Sequence, residues 1–281
     1  GNLGDCYLIS SLGTIADSSQ AAIRNMIIDN GVDSVTGVHT WTVRFYANGK
    51  ADYVTVDDKL PTDGRGYLVF QGDGSSVSNP KGLWIALVEK AYAQWNETGN
   101  EGRDGRNSYA SIEGGWMADV DAQVLGRNAK SYNLISTADQ QALVAAVAGK
   151  MAVTIGTVNS NKADGSLAYG LYGNHAYGVI GYNSSTKTFT LYNPWGSNQP
   201  AKSLTWAELK SVCDGFVVAD TSGTTPMVAA GVARAMVRPL VAPPSLVQPV
   251  AEVAPAASSP TEVPTQGDAE SQARTGSSAA V

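Results

Sequence analysis

The chain has 281 residues with a formal net charge of −6 and an isoelectric point near 4.9. An acidic chain without a basic cluster argues against nucleic acid or an anionic membrane surface as a partner. The sequence has no uninterrupted apolar run of about 18 residues, so we expect no membrane-spanning helix. Two cysteines of different character do not make a disulfide framework.

The first predicted element is a helix that begins at Cys6. Residues 1–12 read GNLGDCYLISSL, in which glycines and Asp5 precede an apolar run, so we expect Asp5 to be the N-cap. A cysteine in the first helical turn faces the positive end of the helix dipole, which lowers the pKa of the thiol. Its backbone N–H can also face a developing oxyanion. Taken alone, this segment fits a small buried cysteine better than a nucleophile.

Strands and one strongly amphipathic helix are predicted next. Runs rich in β-forming residues predict strands over 40–46, 52–56 and 66–70. Over 84–96, apolar residues recur at i, i+3, i+4, i+7, i+8 and i+11, which predicts a helix with a core-facing stripe. We expect this helix to pack behind the helix that begins at Cys6.

A glycine-rich stretch follows the amphipathic helix. Residues 97–108 are rich in Gly, Asn and Arg and predict an exposed loop. Residues 114–116 read GGW, and two interpretations of them stay open. Gly115 and its neighbours either line a cleft or form a structural turn against which the Trp packs.

The second half of the chain predicts a β-rich unit with two short helices. Capping-box patterns at 137–140 and 205–208 each precede apolar residues at helical spacing. Strands are predicted over 151–158 and 216–218. Cys213 is placed on the second short helix and is interpreted as a core thiol.

A β-hairpin carries the most informative pair of polar residues. Two β-rich runs, 175–182 and 187–193, are separated by an Asn/Ser/Thr turn. Paired residue numbers are expected to sum to about 368–369, which sets His175 almost opposite Asn193 at the open end. A side-chain amide beside an imidazole fixes its tautomer and aims its other nitrogen at a nucleophile. Cys6 is the nucleophile that the sequence offers.

The composition changes sharply near residue 222. Residues 222–281 hold 8 of the 12 prolines and no aromatic residue. Such a segment cannot bury enough apolar surface to offset the entropy of ordering, so we expect a disordered tail. The remaining chain is divided into a nucleophile subdomain, 1–127, and a β-rich subdomain with the His and the Asn, 128–221.

Four motifs in the same order resemble those of the calpain-type cysteine proteases, within the papain-like group. They are the nucleophile segment, a strand, a helix and the His and Asn blocks: GNLGDCY at 1–7, VDDKLP at 56–61, LWIALVEKAYA at 83–93, and HAY at 175–177 with NPWG at 193–196. The resemblance extends from the start of the chain to about residue 220. It implies an α+β fold with a helical nucleophile lobe and an antiparallel β lobe.

The resemblance also implies a role for each matching residue. Cys6 becomes the nucleophile of a cysteine endopeptidase, His175 its general base and acid, and Asn193 the residue that orients His175. Trp195 is expected to shield the Asn–His hydrogen bond from water. Proteins or peptides become the substrates, while the oligomeric state is left undetermined.

The chain departs from the family pattern at three places. The oxyanion-hole Gln of the family would fall immediately before Gly1, so we expect a longer protein that supplies it. The Trp after the nucleophile is Tyr7 here, and the Gly before the His is Asn174, which we expect to narrow the cleft. Because the true N-terminus is expected to be missing, localisation stays undetermined, and the resemblance alone favours the cytoplasm.

Calcium is implied by the family resemblance alone. Animal calpains carry a longer acidic loop where this chain has only residues 197–202. Two acid pairs, Asp57 with Asp58 and Asp119 with Asp121, lack calcium-loop spacing and are interpreted as exposed carboxylates. No metal site is therefore assigned, and no cofactor is required by the sequence.

Two alternative functions stay open. Another acyl-transfer enzyme on a papain-like fold, such as a transglutaminase or an amidase, would usually pair the His with Asp rather than Asn. A non-catalytic pseudo-protease that binds peptides is disfavoured by the intact Cys6, His175 and Asn193 set. The Gln that falls outside the chain keeps this second alternative open.

Overall fold

The structure is a computed structural model, and it describes residues 3–70, 83–196 and 199–223. The predicted tail therefore lies outside the described residues from residue 224 onward. All described residues fall within one unit of the chain, Gly1–Val237. They fold into helices and antiparallel sheets, as the sequence predicts for an α+β protein.

The first part of the chain combines four helices with a three-stranded sheet of order β1-β2-β3. The elements are α1 (Cys6–Ser18), α2 (Gln20–Arg24), β1 (Ile27–Val32), β2 (His39–Ala47), β3 (Lys50–Asp57), α3 (Leu83–Trp95) and α4 (Met117–Leu125). Short 3₁₀ turns cover Asn96–Thr98 and Tyr109–Ile112. The strands predicted at 40–46 and 52–56 are confirmed, whereas the one predicted at 66–70 is reduced to an isolated bridge between Thr62 and Leu68.

The second part forms a six-stranded antiparallel sheet of order β4-β9-β5-β6-β7-β8. The elements are β4 (Lys130–Asn133), α5 (Thr137–Ala148), β5 (Ala152–Thr157), β6 (Ala176–Asn183), β7 (Thr188–Tyr192), β8 (Lys202–Thr205), α6 (Trp206–Val212) and β9 (Cys213–Ala219). A 3₁₀ turn covers Ala168–Gly170. Cys213 ends α6 and begins β9, so its predicted place on the helix is wrong, although the thiol is buried as expected.

Local sequence signals explain where the helices begin. Thr205 and Glu208 form the predicted capping box of α6. For α5 the capping box uses Ser136 and Asp139, so the cap lies one residue earlier than predicted. The apolar stripe of α3 is buried as expected, with Leu87, Val88, Ala91, Tyr92 and Trp95 all at most 2% exposed.

Two apolar cores support the two sheets. One joins α1, α3, α4 and the inner faces of β2 and β3, and the other joins α5 and α6 to the six-stranded sheet. Helix α1 connects them because it also packs on β5 and β6. The Ser10 hydroxyl donates to the Ala176 carbonyl at 2.9 Å, and a Cβ on Gly178 would lie 2.8 Å from the Thr14 methyl. These contacts hold helix α1 against the start of β6.

Candidate active site

Cys6 is the first residue of α1, and its side chain is half-buried. Asp5 occupies the predicted N-cap position, but its side chain makes no capping hydrogen bond, so that part of the prediction is wrong. The carboxyl group instead contacts that of Glu89 on α3. Burial away from water raises the pKa of Asp5 to about 6, with hydrogen bonds opposing the shift.

Three backbone amides face the Cys6 sulfur, those of Cys6, Tyr7 and Ala176. Each favours the thiolate, as expected for the start of a helix. Burial outweighs them, however, and raises the pKa of the thiol above its ordinary value, with the nearby Asp5 acting in the same direction. The expected lowering of this pKa is therefore wrong for the free protein, because desolvation of the sulfur exceeds the helix-terminus effect.

His175 and Asn193 are joined by a buried hydrogen bond, with 3.0 Å between Nε2 and Oδ1. The Trp195 backbone N–H donates to the same Oδ1 at 3.1 Å. A backbone N–H can only donate, so this contact identifies the Asn193 atom as oxygen and places a proton on His175 Nε2. The other ring nitrogen, Nδ1, is left to accept a proton.

The hairpin brings this pair together through a different register from the predicted one. Observed pairs such as Gly178 with Tyr192 sum to 370, and the register shifts by one beyond Val179, where a bulge occurs. Extended by one pair, this register sets Asn193 opposite Tyr177 rather than His175. His175 lies two residues earlier on the same face and reaches the amide diagonally. The predicted contact is present although the predicted pairing is wrong.

The His175 backbone is fixed to β5. Thr157 N–H donates to the His175 carbonyl, and His175 N–H donates to the Thr157 hydroxyl, both at 3.0 Å. Around the ring, Trp195 lies 4.8 Å away between centroids and Tyr177 meets it edge-on at 4.9 Å. Burial lowers the pKa of His175, and the hydrogen bond to Asn193 opposes this shift. The structure thus brings His175, Asn193 and Trp195 into one cluster, beside the Ala176 amide that faces Cys6.

Asn174 and Gly115 occupy positions with clear backbone requirements. Asn174 is exposed and has a φ of 50°, a left-handed conformation that Asn and Gly adopt most readily. At Gly115 a Cβ would lie 2.4 Å from the Tyr7 ring, so only glycine fits beneath that ring. Trp116 is 76% exposed, which overturns the interpretation of a turn with a packed Trp.

One member of each acid pair is buried, contrary to the prediction, whereas Asp119 is exposed as predicted. Asp57 is buried and forms an ion pair with Lys90, and Asp121 is 1% exposed beside α1. Burial raises the pKa of Asp121 to about 7, with a hydrogen bond from Ser11 opposing it. Within residues 3–70, 83–196 and 199–223, no group of three His, Cys, Asp or Glu side chains is placed to hold a metal ion.

Two functional candidates escape sequence reasoning: Glu101 and Arg103. Residues 97–108 were expected to form an exposed loop, yet the Glu101 side chain is only 1% exposed and that of Arg103 only 21%. A charged residue in a glycine-rich loop carries no periodic signal of burial. Arg103 contacts three carbonyls that lie 8 to 11 residues away and the Tyr7 ring, and only the folded chain shows these contacts.

Comparison with known proteins agrees with this geometry. The family model for calpain family cysteine proteases matches residues 1–211, and the chain belongs to that family. The chain is 26% identical over 207 residues to calpain-9 of Mus musculus, which covers 70% of the chain and 28% of that protein. It is 28% identical to a calpain of Schistosoma mansoni over 76% of the chain and 27% of that protein. With the calpain-2 catalytic subunit of Gallus gallus it shares 27% identity over 70% of the chain and 27% of that protein.

The chain thus spans less than a third of the length of the relatives that it matches. The family is one of cysteine proteases, whose chemistry is thiol-dependent peptide hydrolysis. Among the helices of the described residues, none has the length and apolar character needed to cross a bilayer.

Proposed function

We propose that this protein is a cysteine endopeptidase in which Cys6 forms a thioacyl-enzyme, His175 transfers the proton and Asn193 orients the imidazole. The observation that carries the proposal is the buried Asn193–His175 hydrogen bond beside the Ala176 amide that faces the Cys6 sulfur. Membership in the calpain family supports it independently.

The proposed reaction begins with transfer of the Cys6 proton to His175 Nδ1, the ring nitrogen left open by Asn193. The thiolate attacks the peptide carbonyl, and the Cys6 backbone N–H donates to the resulting oxyanion. The imidazolium then protonates the leaving amine as the C–N bond breaks, which leaves a thioester. Water, deprotonated by the same imidazole, attacks the thioester and releases the acid and the thiol.

Burial gives His175 and Cys6 complementary pKa shifts. Both shifts favour the neutral thiol and the neutral imidazole, so the proposed general base is available to accept the proton. Trp195 covers one side of the ring at 4.8 Å and is proposed to keep water from the Asn193 hydrogen bond. Orientation by a buried neutral amide favours this protease over acyl-transfer enzymes that use a carboxylate at that place.

The papain-like division is part of the proposal. The nucleophile subdomain, 1–127, would supply the thiol and the β-rich subdomain, 128–221, the imidazole, with peptide bound between them. Gly115 and Asn174 would line opposite walls of that cleft. The separate apolar cores behind the two sheets support this division.

Covalent labelling tests the proposal. The purified protein is treated with an E-64-type epoxide, and the modified residue is located by mass spectrometry. We expect labelling at Cys6 that is lost in His175→Ala. The matched control is His39→Ala, since His39 lies on β2, where Nε2 contacts Asp29 at 2.5 Å, and should leave labelling intact.

Two outcomes of that experiment would oppose the proposal. Labelling that persists at full rate in His175→Ala would remove the imidazole from the mechanism. A wild-type protein that is folded but neither labelled nor able to cleave casein would be a pseudo-protease.

A further inference from the structure

Arg103 makes an unusual set of contacts for a loop residue. Its guanidinium donates to three backbone carbonyls, those of Ser111 at 2.9 Å, Glu113 at 3.0 Å and Gly114. The side chain is only 21% exposed. A planar guanidinium with five N–H donors suits several acceptors at once, whereas the point charge of a lysine does not. Arg103 therefore fixes the course of the chain over residues 111–114.

Residues 111–114 are also hydrogen-bonded to the residues that flank the proposed nucleophile. The Gly114 N–H donates to the Gly4 carbonyl at 2.8 Å, and the Tyr7 hydroxyl donates to the Ile112 carbonyl at 2.8 Å. Gly115 lies directly beneath the Tyr7 ring. We call residues 111–115 the wall segment. It lies between Arg103 and the residues that flank Cys6.

The charge of Arg103 is balanced within the same region. Glu101 Oε1 lies 3.3 Å from Arg103 Nε, and the Glu101 side chain is 1% exposed. The Nε–H itself donates to Ser111, so Glu101 acts as a neighbouring charge rather than as its hydrogen-bond acceptor. The guanidinium also lies 5.7 Å from the centre of the Tyr7 ring, a favourable cation–π distance. A half-buried cation thus joins the loop, the wall segment and the residue after the nucleophile.

We propose that Arg103 is a positioning residue for substrate binding, an internal cation that holds the wall segment in the conformation that receives the peptide. The inference rests on the proposed endopeptidase function. Three of the carbonyls in the wall segment are engaged by Arg103, and that of Ile112 is engaged by Tyr7. Without Arg103, the carbonyls of Ser111, Glu113 and Gly114 would lose their shared charged donor and the segment would relax. Cys6, His175 and Asn193 would keep their own contacts. The expected defect is in substrate binding rather than in the reactivity of the thiol.

The test compares Arg103→Met and Arg103→Lys with a matched control, Arg65→Met. Arg65 also lies over a tyrosine ring and pairs with an aspartate, but its side chain is 82% exposed. Kinetics with a fluorogenic peptide give kcat and KM, and iodoacetamide gives the alkylation rate of Cys6. Hydrogen exchange reports the protection of the Gly114 amide, and thermal melting reports folding.

We expect Arg103→Met to raise KM at least tenfold while kcat stays within threefold and the alkylation rate within twofold of wild type. Gly114 should exchange at least tenfold faster, and Arg103→Lys should recover part of both effects. Arg65→Met should match wild type. If Arg103→Met fails to fold, Arg103→Lys decides by the same measurements, because it keeps the charge and most of the side-chain volume.

Unchanged KM and unchanged exchange at Gly114 in a folded Arg103 variant would overturn the inference. A fall in kcat and in the alkylation rate at constant KM would also overturn it, because the effect would then lie in the nucleophile. If wild-type protein does not cleave the peptide, the proposed endopeptidase function fails. In that case hydrogen exchange still shows whether Arg103 holds the wall segment.

Discussion

The hydrogen bond between Asn193 and His175 gives the most direct test of the proposed mechanism. Replacement of Asn193 by Ala removes an oxygen that accepts from His175 Nε2 at 3.0 Å and from the Trp195 N–H at 3.1 Å. Both Asn193 and His175 are less than 9% exposed, so water does not readily replace the lost acceptor. Leaving a buried donor unsatisfied costs about 1–3 kcal/mol.

Experiments can measure separately how this substitution affects folding stability and how it affects catalysis. We expect the free energy of unfolding of Asn193→Ala to fall by about 1–3 kcal/mol in urea titration. A ring that is no longer fixed should also lower kcat/KM by about 10- to 100-fold, which corresponds to about 1.4–2.7 kcal/mol. KM should change little, because Asn193 is buried behind the ring. Asn193→Asp keeps an acceptor oxygen and should retain most of the activity, with a higher His175 pKa because a carboxylate favours the imidazolium.

The assay is the pH dependence of kcat/KM for wild type, both variants and a control, Asn30→Ala. Asn30→Ala also removes side-chain hydrogen bonds, to Thr40 and Thr42, but Asn30 lies on the outer strand β1. An Asn193→Ala protein with a lower melting temperature and kcat/KM within twofold of wild type would refute the orienting role. The amide would then be purely structural.

Three further predictions concern the surroundings of the site. Gly115→Ala places a Cβ 2.4 Å from the Tyr7 ring and should lower the free energy of unfolding by about 1–3 kcal/mol in urea titration, and an unchanged value would contradict this packing. Trp195→Ala should lower kcat at constant KM by exposing the His175 hydrogen bond to water, and a change confined to KM would oppose a shielding role. Burial raises the pKa of Asp121 to about 7, above its value of about 3.9 in unfolded chains, so the folded state binds the proton more tightly. The wild-type free energy of unfolding should therefore fall as pH rises from about 4 to about 7, by on the order of 4 kcal/mol, and Asp121→Asn should remove this loss; parallel pH curves would refute the argument.

Local sequence patterns correctly predicted the elements whose formation depends only on neighbouring residues in the sequence. The stripe of α3 and the capping box of α6 are set by side chains three or four positions apart, and both are confirmed. The pairing of β2 with β3 follows from a two-residue turn, Asn48 and Gly49, in which both residues have positive φ. Such signals lie within a few residues of the feature that they determine.

Errors occurred where distant segments decide the outcome. The hairpin register is a separate, local error, because the turn closes between Asn183 and Thr188, whose numbers sum to 371, and the bulge beyond Val179 lowers this sum only to 370. The Asp5 carboxyl group does not cap its helix because it contacts the Glu89 carboxyl group on α3. Asp57 and Asp121 are buried because helices cover them, although nothing in their neighbouring residues indicates it. Burial of a charged group is a property of the assembled fold, so a linear pattern does not contain it.

The pKa shifts of Cys6 and His175 bear on how substrate binding affects proton transfer at the proposed site. Burial favours the neutral thiol of Cys6 and the neutral imidazole of His175, because it raises the pKa of the first and lowers the pKa of the second. Proton transfer creates a thiolate and an imidazolium together, and each then stabilises the other in a region of low dielectric. The amides of Cys6, Tyr7 and Ala176 already face the sulfur, and Asn193 already favours the charged ring. A bound peptide excludes further water and strengthens these interactions. In the proposed mechanism, proton transfer is therefore coupled to substrate binding, which makes the geometry of the wall segment as important to turnover as the reactivity of the thiol.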